Sequence, residues 1–362
     1  MKRLFDVQPD FGRLGKVLSR DGEPDIVPFC EFWVDAEVMS GFVGKPVSIE
    51  TAIEFFYVLG YDFVPVGARF GYKRREIQAD DGVGSSRRIR TFVDENKGTI
   101  ENRKDFNAYS WPTVDSSVAF PVNRTTEMLP DGMKAIVITP GGILENVMWL
   151  MGYMPLSYAI YEDEQLVYDM FEIIGINHLN MMRTLLEKSD RSRIGGIVMG
   201  DDMGFNHSTM FSPDFLRKYV FGWQKRFVNL VHEYNLPFIL HSCGNVNSIM
   251  DELIDYVGID AKHSFEDNIL SVNEAKKKYG NRIALLGGVD VHFLCTATTE
   301  QIIDYVDHVI NVCAPGGGFA LGTGSSFTNY MPVKSWMTML EEGRRKGIYP
   351  IMNDELHREG KY

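Results

Sequence analysis

The chain has 362 residues, 44% of them hydrophobic and 24% charged, with a formal charge of −12. That length holds either two domains or one α/β barrel with a large soluble core. The acidic balance argues against a general nucleic-acid or anionic-membrane surface and leaves only a local basic groove open, at Lys73-Arg74-Arg75 with Arg87-Arg88-Ile89-Arg90.

The four cysteines, Cys30, Cys243, Cys295 and Cys313, are too widely spaced for a disulfide framework. Met1 to Asp6 lacks an apolar signal core, and the run from Ile136 to Met151 is broken by Pro140, Gly141, Gly142, Glu145 and Asn146. A cytoplasmic, reducing location is expected, where thiols stay free for metal or chemistry.

Residues 1–60 read as a helical, loop-rich N-terminal extension. Ser48 opens a capped helix that ends at Gly60. Tyr61 to Gly67 is the first strand. Residues 70–133 are polar and turn-rich and read as an insertion over one end of the barrel, with a hairpin near Arg88 to Thr99. From Lys134 the rhythm is regular. Strands are expected at 134–140, 194–202, 237–245, 258–263, 283–288 and 317–322. Helices are expected over most of 144–188, then at 212–234, 246–256, 271–279, 298–313 and 332–345.

Short apolar strands alternating with amphipathic helices imply a parallel sheet with right-handed crossovers. The expected fold is α/β, a (β/α)8 TIM-type barrel over 61–362. Seven strands are clear and an eighth could hide in 88–120. Polar residues favour a barrel over a doubly wound sheet, because they recur where successive strands end: Asp201 and Asp202, His241 and Cys243, His263 and Glu266, Asp290 and His292, Ser325 and Ser326. In a barrel these converge on one mouth.

The stretch Pro237-Phe-Ile-Leu-His-Ser-Cys-Gly-Asn245 carries the chemistry. On a strand, His241 and Cys243 point the same way. Imidazole beside thiol suits a soft divalent ion, zinc above all. Glu266, past the next strand, is the candidate third ligand, with His263 and Asp202 as rivals. Ser325, Ser326 or water is the fourth. Asp201 and Asp202 are the candidate catalytic acids: one caps a turn while the other enters the mouth to bind substrate or deliver a proton. Gly287-Gly288 and Gly316-Gly317-Gly318 match no phosphate-binding fingerprint and read as close backbone approaches. Met203, Phe205 and the stretch from Trp149 to Met154 fall near the mouth.

Several motifs in combination resemble the uroporphyrinogen decarboxylase-like superfamily: Gly200-Asp-Asp-Met-Gly204, Phe211-Ser-Pro-Asp214, His241-Ser-Cys-Gly-Asn245, Lys277-Lys-Tyr-Gly280, Gly287-Gly-Val-Asp290 and Gly316-Gly-Gly-Phe319. The resemblance implies a (β/α)8 barrel. Decarboxylases of that group grip porphyrinogen carboxylates with an arginine-rich N-terminal segment. Here the corresponding Pro28 to Asp35 has no arginine. The other branch comprises corrinoid-dependent methyltransferases, whose H-x-C pattern is similar to His241 and Cys243. Their late cysteine is missing, since the equivalent stretch reads Gly322-Thr-Gly-Ser-Ser326. Barrel methyltransferases related to cobalamin-independent methionine synthase add a glutamate, and Glu266 is similarly placed.

The expected ligands of Zn2+ are His241, Cys243, Glu266 and Ser326, and the resemblance implies a corrinoid supplied by a partner protein. A site with fewer thiolates is taken as the better Lewis acid, which suits a methyl ether. The expected reaction is therefore O-demethylation, in which a methyl group passes from a methoxylated, aromatic donor to the Co(I) corrinoid. The alternatives are methyl transfer from methylcobalamin to a thiol, decarboxylation of a small or tetrapyrrole acid, and a metal-free corrinoid- or tetrapyrrole-binding module. Expected partners are a corrinoid protein and a small methyl donor, without nucleic acid or membrane. A homodimer is left open.

Overall fold

All seven strands read from the sequence pair in parallel in a computed structural model, which describes residues 2–80, 89–94 and 97–351. In chain order the strands are β1 (Phe63–Gly67), β2 (Glu76–Asp80), β3 (Ile89–Val93), β4 (Lys134–Ile138), β5 (Ile194–Gly200), β6 (Phe238–His241), β7 (Ala261–His263), β8 (Ala284–Leu286) and β9 (Phe319–Ala320). The main sheet runs β1-β4-β5-β6-β7-β8-β9, and β2 and β3 form a separate antiparallel hairpin. The long strands are buried on both faces, which is why they read as continuous apolar runs.

The sheet curls into a distorted (β/α)8-type barrel that its hydrogen bonds do not close. The eighth position is not in 88–120. It is taken by Pro28 to Cys30, whose backbone exchanges hydrogen bonds with Leu321 past β9, at 2.8 and 2.9 Å. Among the described residues no ladder joins this segment to β1. Rings fill that seam instead, with centroids 5.7 Å apart for both Phe32–Phe63 and Phe29–Tyr61. Buried Glu31 ties the segment to the loop after β9 by accepting from the Thr323 backbone N–H at 2.7 Å and its hydroxyl at 2.8 Å. A segment this short, opened by Pro28 and followed at once by Glu31, gives almost no strand signal.

The hairpin also lies one strand earlier than expected, at 76–80 and 89–93 rather than 88–99. Charged residues around its first strand mask the alternation. Residues 81–88, with Arg87 and Arg88 of the expected basic groove, lie outside the described residues. Of its first stretch, Arg74 lies over the Trp149 ring at 4.5 Å and Arg75 pairs with Asp94 at 3.1 Å.

Helix starts follow the capping chemistry. Ser48, Ser212, Ser271 and Thr298 each accept a backbone N–H in the first turn of the helix they open. The expected helix over 246–256 is reduced to Met250–Glu252 and a wider turn at Leu253–Val257. The helix expected at 212–234 is interrupted at Val220. Among the described residues no helix is long and apolar enough to cross a membrane.

Trp336 anchors the N-terminal helices to the barrel. Fully buried, it stacks on Phe327 at 4.6 Å and on Phe55 at 5.6 Å. Trp336→Ala is expected to cost ~3–5 kcal/mol in urea denaturation. A loss well under ~1 kcal/mol would mean that this contact does not hold the extension down.

A candidate metal centre at the barrel mouth

Parallel register builds the centre. Gly200 pairs with His241 across β5 and β6, and His241 pairs with His263 across β6 and β7. Both imidazoles therefore stand at the carboxyl ends of their strands, with Nδ1 of His241 2.7 Å from Nδ1 of His263. The Trp33 ring packs on the His241 ring with centroids 4.4 Å apart.

Past the strands, two loops grip each other. The Cys243 backbone N–H donates to Oδ1 of Asp202 at 2.7 Å, and the Asn245 N–H donates to the Phe205 carbonyl at 2.7 Å. Gly244 has φ of +74°, and a Cβ there would come 2.1 Å from the Gly204 carbonyl oxygen. Only glycine allows this approach. The result is a compact donor set: one ligand atom each from Asp202, His241 and Cys243, all within 4.8 Å of one another. Sγ of Cys243 is 3.3 Å from Nε2 of His241, which is 3.8 Å from Oδ1 of Asp202. Among the described residues this is the one such cluster.

The donor chemistry fits a soft divalent ion. Burial, outweighing the nearby Asp202 charge, lowers the His241 pKa to about 4, so the ring is neutral and keeps a lone pair. Burial and then the Asp202 charge push the Cys243 thiol up to about 12. Without an ion the thiol keeps its proton, and binding would displace it. The His241–His263 contact also orients the lone pair. If His241 donates from Nδ1, its Nε2 faces Cys243 and Asp202 as an acceptor. Burial, then the His241 and Lys262 charges, hold His263 well below its ordinary range against the opposing Thr323 backbone, and Nε2 of that ring makes no hydrogen bond.

Other expected residues fall around this set. Asp201 is fully buried and accepts from the backbone N–H of Ile143 (3.2 Å) and of Glu145 (3.0 Å) and from Nε2 of Gln224 (2.8 Å). Its carboxylate thus closes the start of helix Ile143–Met151, and burial raises its pKa to about 7. Asp202 is the member of the pair beside His241 and Cys243. Glu266 is not in the 4.8 Å cluster; its Oε1 accepts from the Gly244 N–H at 2.9 Å. Ser325 places its hydroxyl 3.7 Å from Sγ of Cys243, while Ser326 lines the adjoining cleft. Gly287 does mark a close approach, since a Cβ there would meet the Thr323 carbonyl oxygen at 2.3 Å.

Three mouth residues escaped the sequence reading. Trp33 sits in the extended segment near the N-terminus and carried no signal. Glu145, at the start of a helix, has its pKa raised by burial and by the Asp202 and Asp201 charges. Lys262 is buried within β7 and directs Nζ to the carbonyls of Ser242, His263 and Ser264, at 3.3, 3.4 and 2.5 Å. A lysine inside an apolar strand was the available clue. The donor set opens on a cleft of about 1060 Å³ that begins at Cys243 and Ser325.

A curled parallel barrel with a candidate metal-donor set at its carboxyl mouth defines the class of site. The chain belongs to the uroporphyrinogen decarboxylase family, whose sequence profile matches residues 121–345, more than half of its length. It is also similar to the methylcobamide:CoM methyltransferase MtaA of Methanosarcina barkeri, with 28% identity over 126 residues. That match covers 35% of this chain and 35% of the relative, so it spans about a third of the relative's length. Among solved structures, a methyltransferase from Methanosarcina mazei superposes with a TM-score of 0.67 at 18% identity, over 93% of this chain and 99% of that one. This second likeness is one of fold.

Zinc titration of the metal-free protein tests the donor set. Cys243→Ala and Asp202→Ala are expected to remove tight binding, and His263→Ala to weaken it ~10–100-fold through the lost orientation of His241. Because the ion must displace one thiol proton and none from His241, apparent affinity should rise roughly tenfold per pH unit between about pH 6 and about pH 8. A flat pH profile would exclude Cys243 as a thiolate ligand.

Proposed function

We propose that this protein is a metal-dependent methyltransferase that carries a methyl group from the corrinoid of a partner protein to a thiol. The observation that carries this reading is the convergence of Asp202, His241 and Cys243 at the head of a substrate-sized cleft. Zn2+ bound there would hold the acceptor sulfur as a thiolate, the reactive form at neutral pH. Asp202 is then a ligand rather than a proton donor. His263 positions His241, and Trp33 shields the back of its ring from water. Asp201 holds the Ile143 helix against the mouth. Four free cysteines suit the reducing, cytoplasmic setting that such chemistry needs.

The thiol acceptor is preferred over a methyl ether on charge. Asp202 makes up for the missing second thiolate. A divalent ion with one carboxylate, one thiolate and a neutral imidazole carries no net charge, as it does with two thiolates and an imidazole. The extra positive charge expected to favour an ether oxygen is therefore absent. The similarity to a methylcobamide:CoM methyltransferase points the same way. A specific observation keeps O-demethylation as the second reading: burial and the Asp202 and Asp201 charges raise the Glu145 pKa, which makes it the candidate acid for a departing phenolate. Decarboxylation has no arginine to grip a porphyrinogen, because the segment that would supply it contributes Glu31 and Trp33.

Zinc-loaded protein, methylcobalamin and a small thiol should give a Co(I) spectrum and a methyl thioether, and Cys243→Ala should abolish both. A methylcorrinoid formed from Co(I) corrinoid and a methoxyphenol, with no thiol turnover, would select the second reading. Turnover in neither assay would remove both.

A further inference from the structure

The cleft leading away from the donor set carries negative charge and no opposing cation. Glu266, Asp267 and Asp290 all line it, and no lysine or arginine does. Lys262 partly balances Glu266, but from behind, with Nζ tied to three carbonyls. Asp267 and Asp290 have no such counter-charge: among the described residues neither makes an ion pair.

Their carboxylates are nonetheless fixed. Tyr305 donates its hydroxyl to Oδ2 of Asp267 at 2.7 Å. Asp290 accepts from the Phe293 N–H at 2.9 Å and from the Asp267 N–H at 3.1 Å. Burial, with the facing Asp290 charge adding, pushes Asp267 above its ordinary range. Two aromatic rings, Phe293 and Tyr330, line the same cleft, and Tyr330 is half exposed. Phe293 packs on Tyr305 with centroids 4.6 Å apart, which leaves Tyr330 as the open ring, and oriented carboxylates beside an open aromatic face recognise ammonium groups. An anionic head group would meet no guanidinium or ammonium here. The helix start nearby, at Val291, is already closed by Asp290 itself.

We infer that the substrate of this cleft is a thiol bearing a protonated amine, its sulfur at Cys243 and its ammonium between Asp267, Asp290 and Tyr330. The inference rests on the thiol-methylation reading above. In the reaction the acceptor thiol gives its proton to solvent. The methyl carbon forms a bond to sulfur as its bond to cobalt breaks, and the cobalt keeps the electron pair and becomes Co(I). The ammonium group is unchanged. The chain would then discriminate against thiols with a sulfonate or carboxylate tail.

The test compares 2-aminoethanethiol, 2-mercaptoethanol and 2-mercaptoethanesulfonate as acceptors from methylcobalamin at about pH 8, where an aliphatic amine is protonated. The aminothiol should exceed the sulfonate in kcat/KM by about tenfold or more, and Asp267→Asn with Asp290→Asn should shrink that ratio towards unity. Asparagine keeps the helix cap, so folding is preserved. A parallel measurement needs no metal: calorimetric binding of 2-(methylthio)ethylamine and 2-(methylthio)ethanesulfonate to the metal-free protein. The amine should bind more tightly, and the double variant should lose that preference. Equal or stronger use and binding of the sulfonate would overturn the inference. If no thiol is methylated, the thiol reading fails. The binding comparison then still decides the charge preference.

Discussion

The pairing of β5, β6 and β7 sets everything at the mouth. Because Gly200, His241 and His263 lie side by side in register, two imidazoles meet through their Nδ1 atoms and one of them is left to face Cys243 and Asp202. A slip of one residue in β6 would turn His241 to the helical shell and leave no donor set. The buried apolar faces of these strands make such a slip costly, so the same core that stabilises the barrel also fixes the direction of the ligand.

Beyond the strand ends, precision comes from loops that hold each other. Asp202 receives the Cys243 backbone and faces its side chain, so one carboxylate both shapes the turn and joins the donor set. Asp201, its neighbour, is spent entirely on the helix start at Ile143 and on Gln224. Adjacent acids thus have separate roles, set by which one the strand turns inward. Gly204 and Gly244 permit the contact because neither has a Cβ to keep the two loops apart.

Much of this was legible in the sequence. Continuous apolar runs located all seven strands, and polar residues at their ends located the mouth. His241 and Cys243 stood out because both are two-sided signals, chemically reactive and correctly spaced. The third donor was harder. Proximity across neighbouring strands favoured Glu266, with His263 and Asp202 as rivals, but the loop geometry gives Glu266 to the Gly244 backbone and brings Asp202 beside His241 and Cys243. The eighth position of the barrel was hidden because Pro28 to Cys30 has no length or periodicity to betray it; its pairing depends on Leu321, far along the chain. Trp33 was hidden for the same reason, since an aromatic in a loop reaches a site only through the tertiary fold.

The central claim is that a divalent ion sits on one sulfur and two lighter donors from this chain. X-ray absorption at the zinc edge of the loaded protein addresses it directly. The account predicts one sulfur at about 2.3 Å and the remaining ligands nitrogen or oxygen at about 2.0–2.2 Å, with the sulfur lost in Cys243→Ala. A first shell without sulfur, or one unchanged by that substitution, would contradict it.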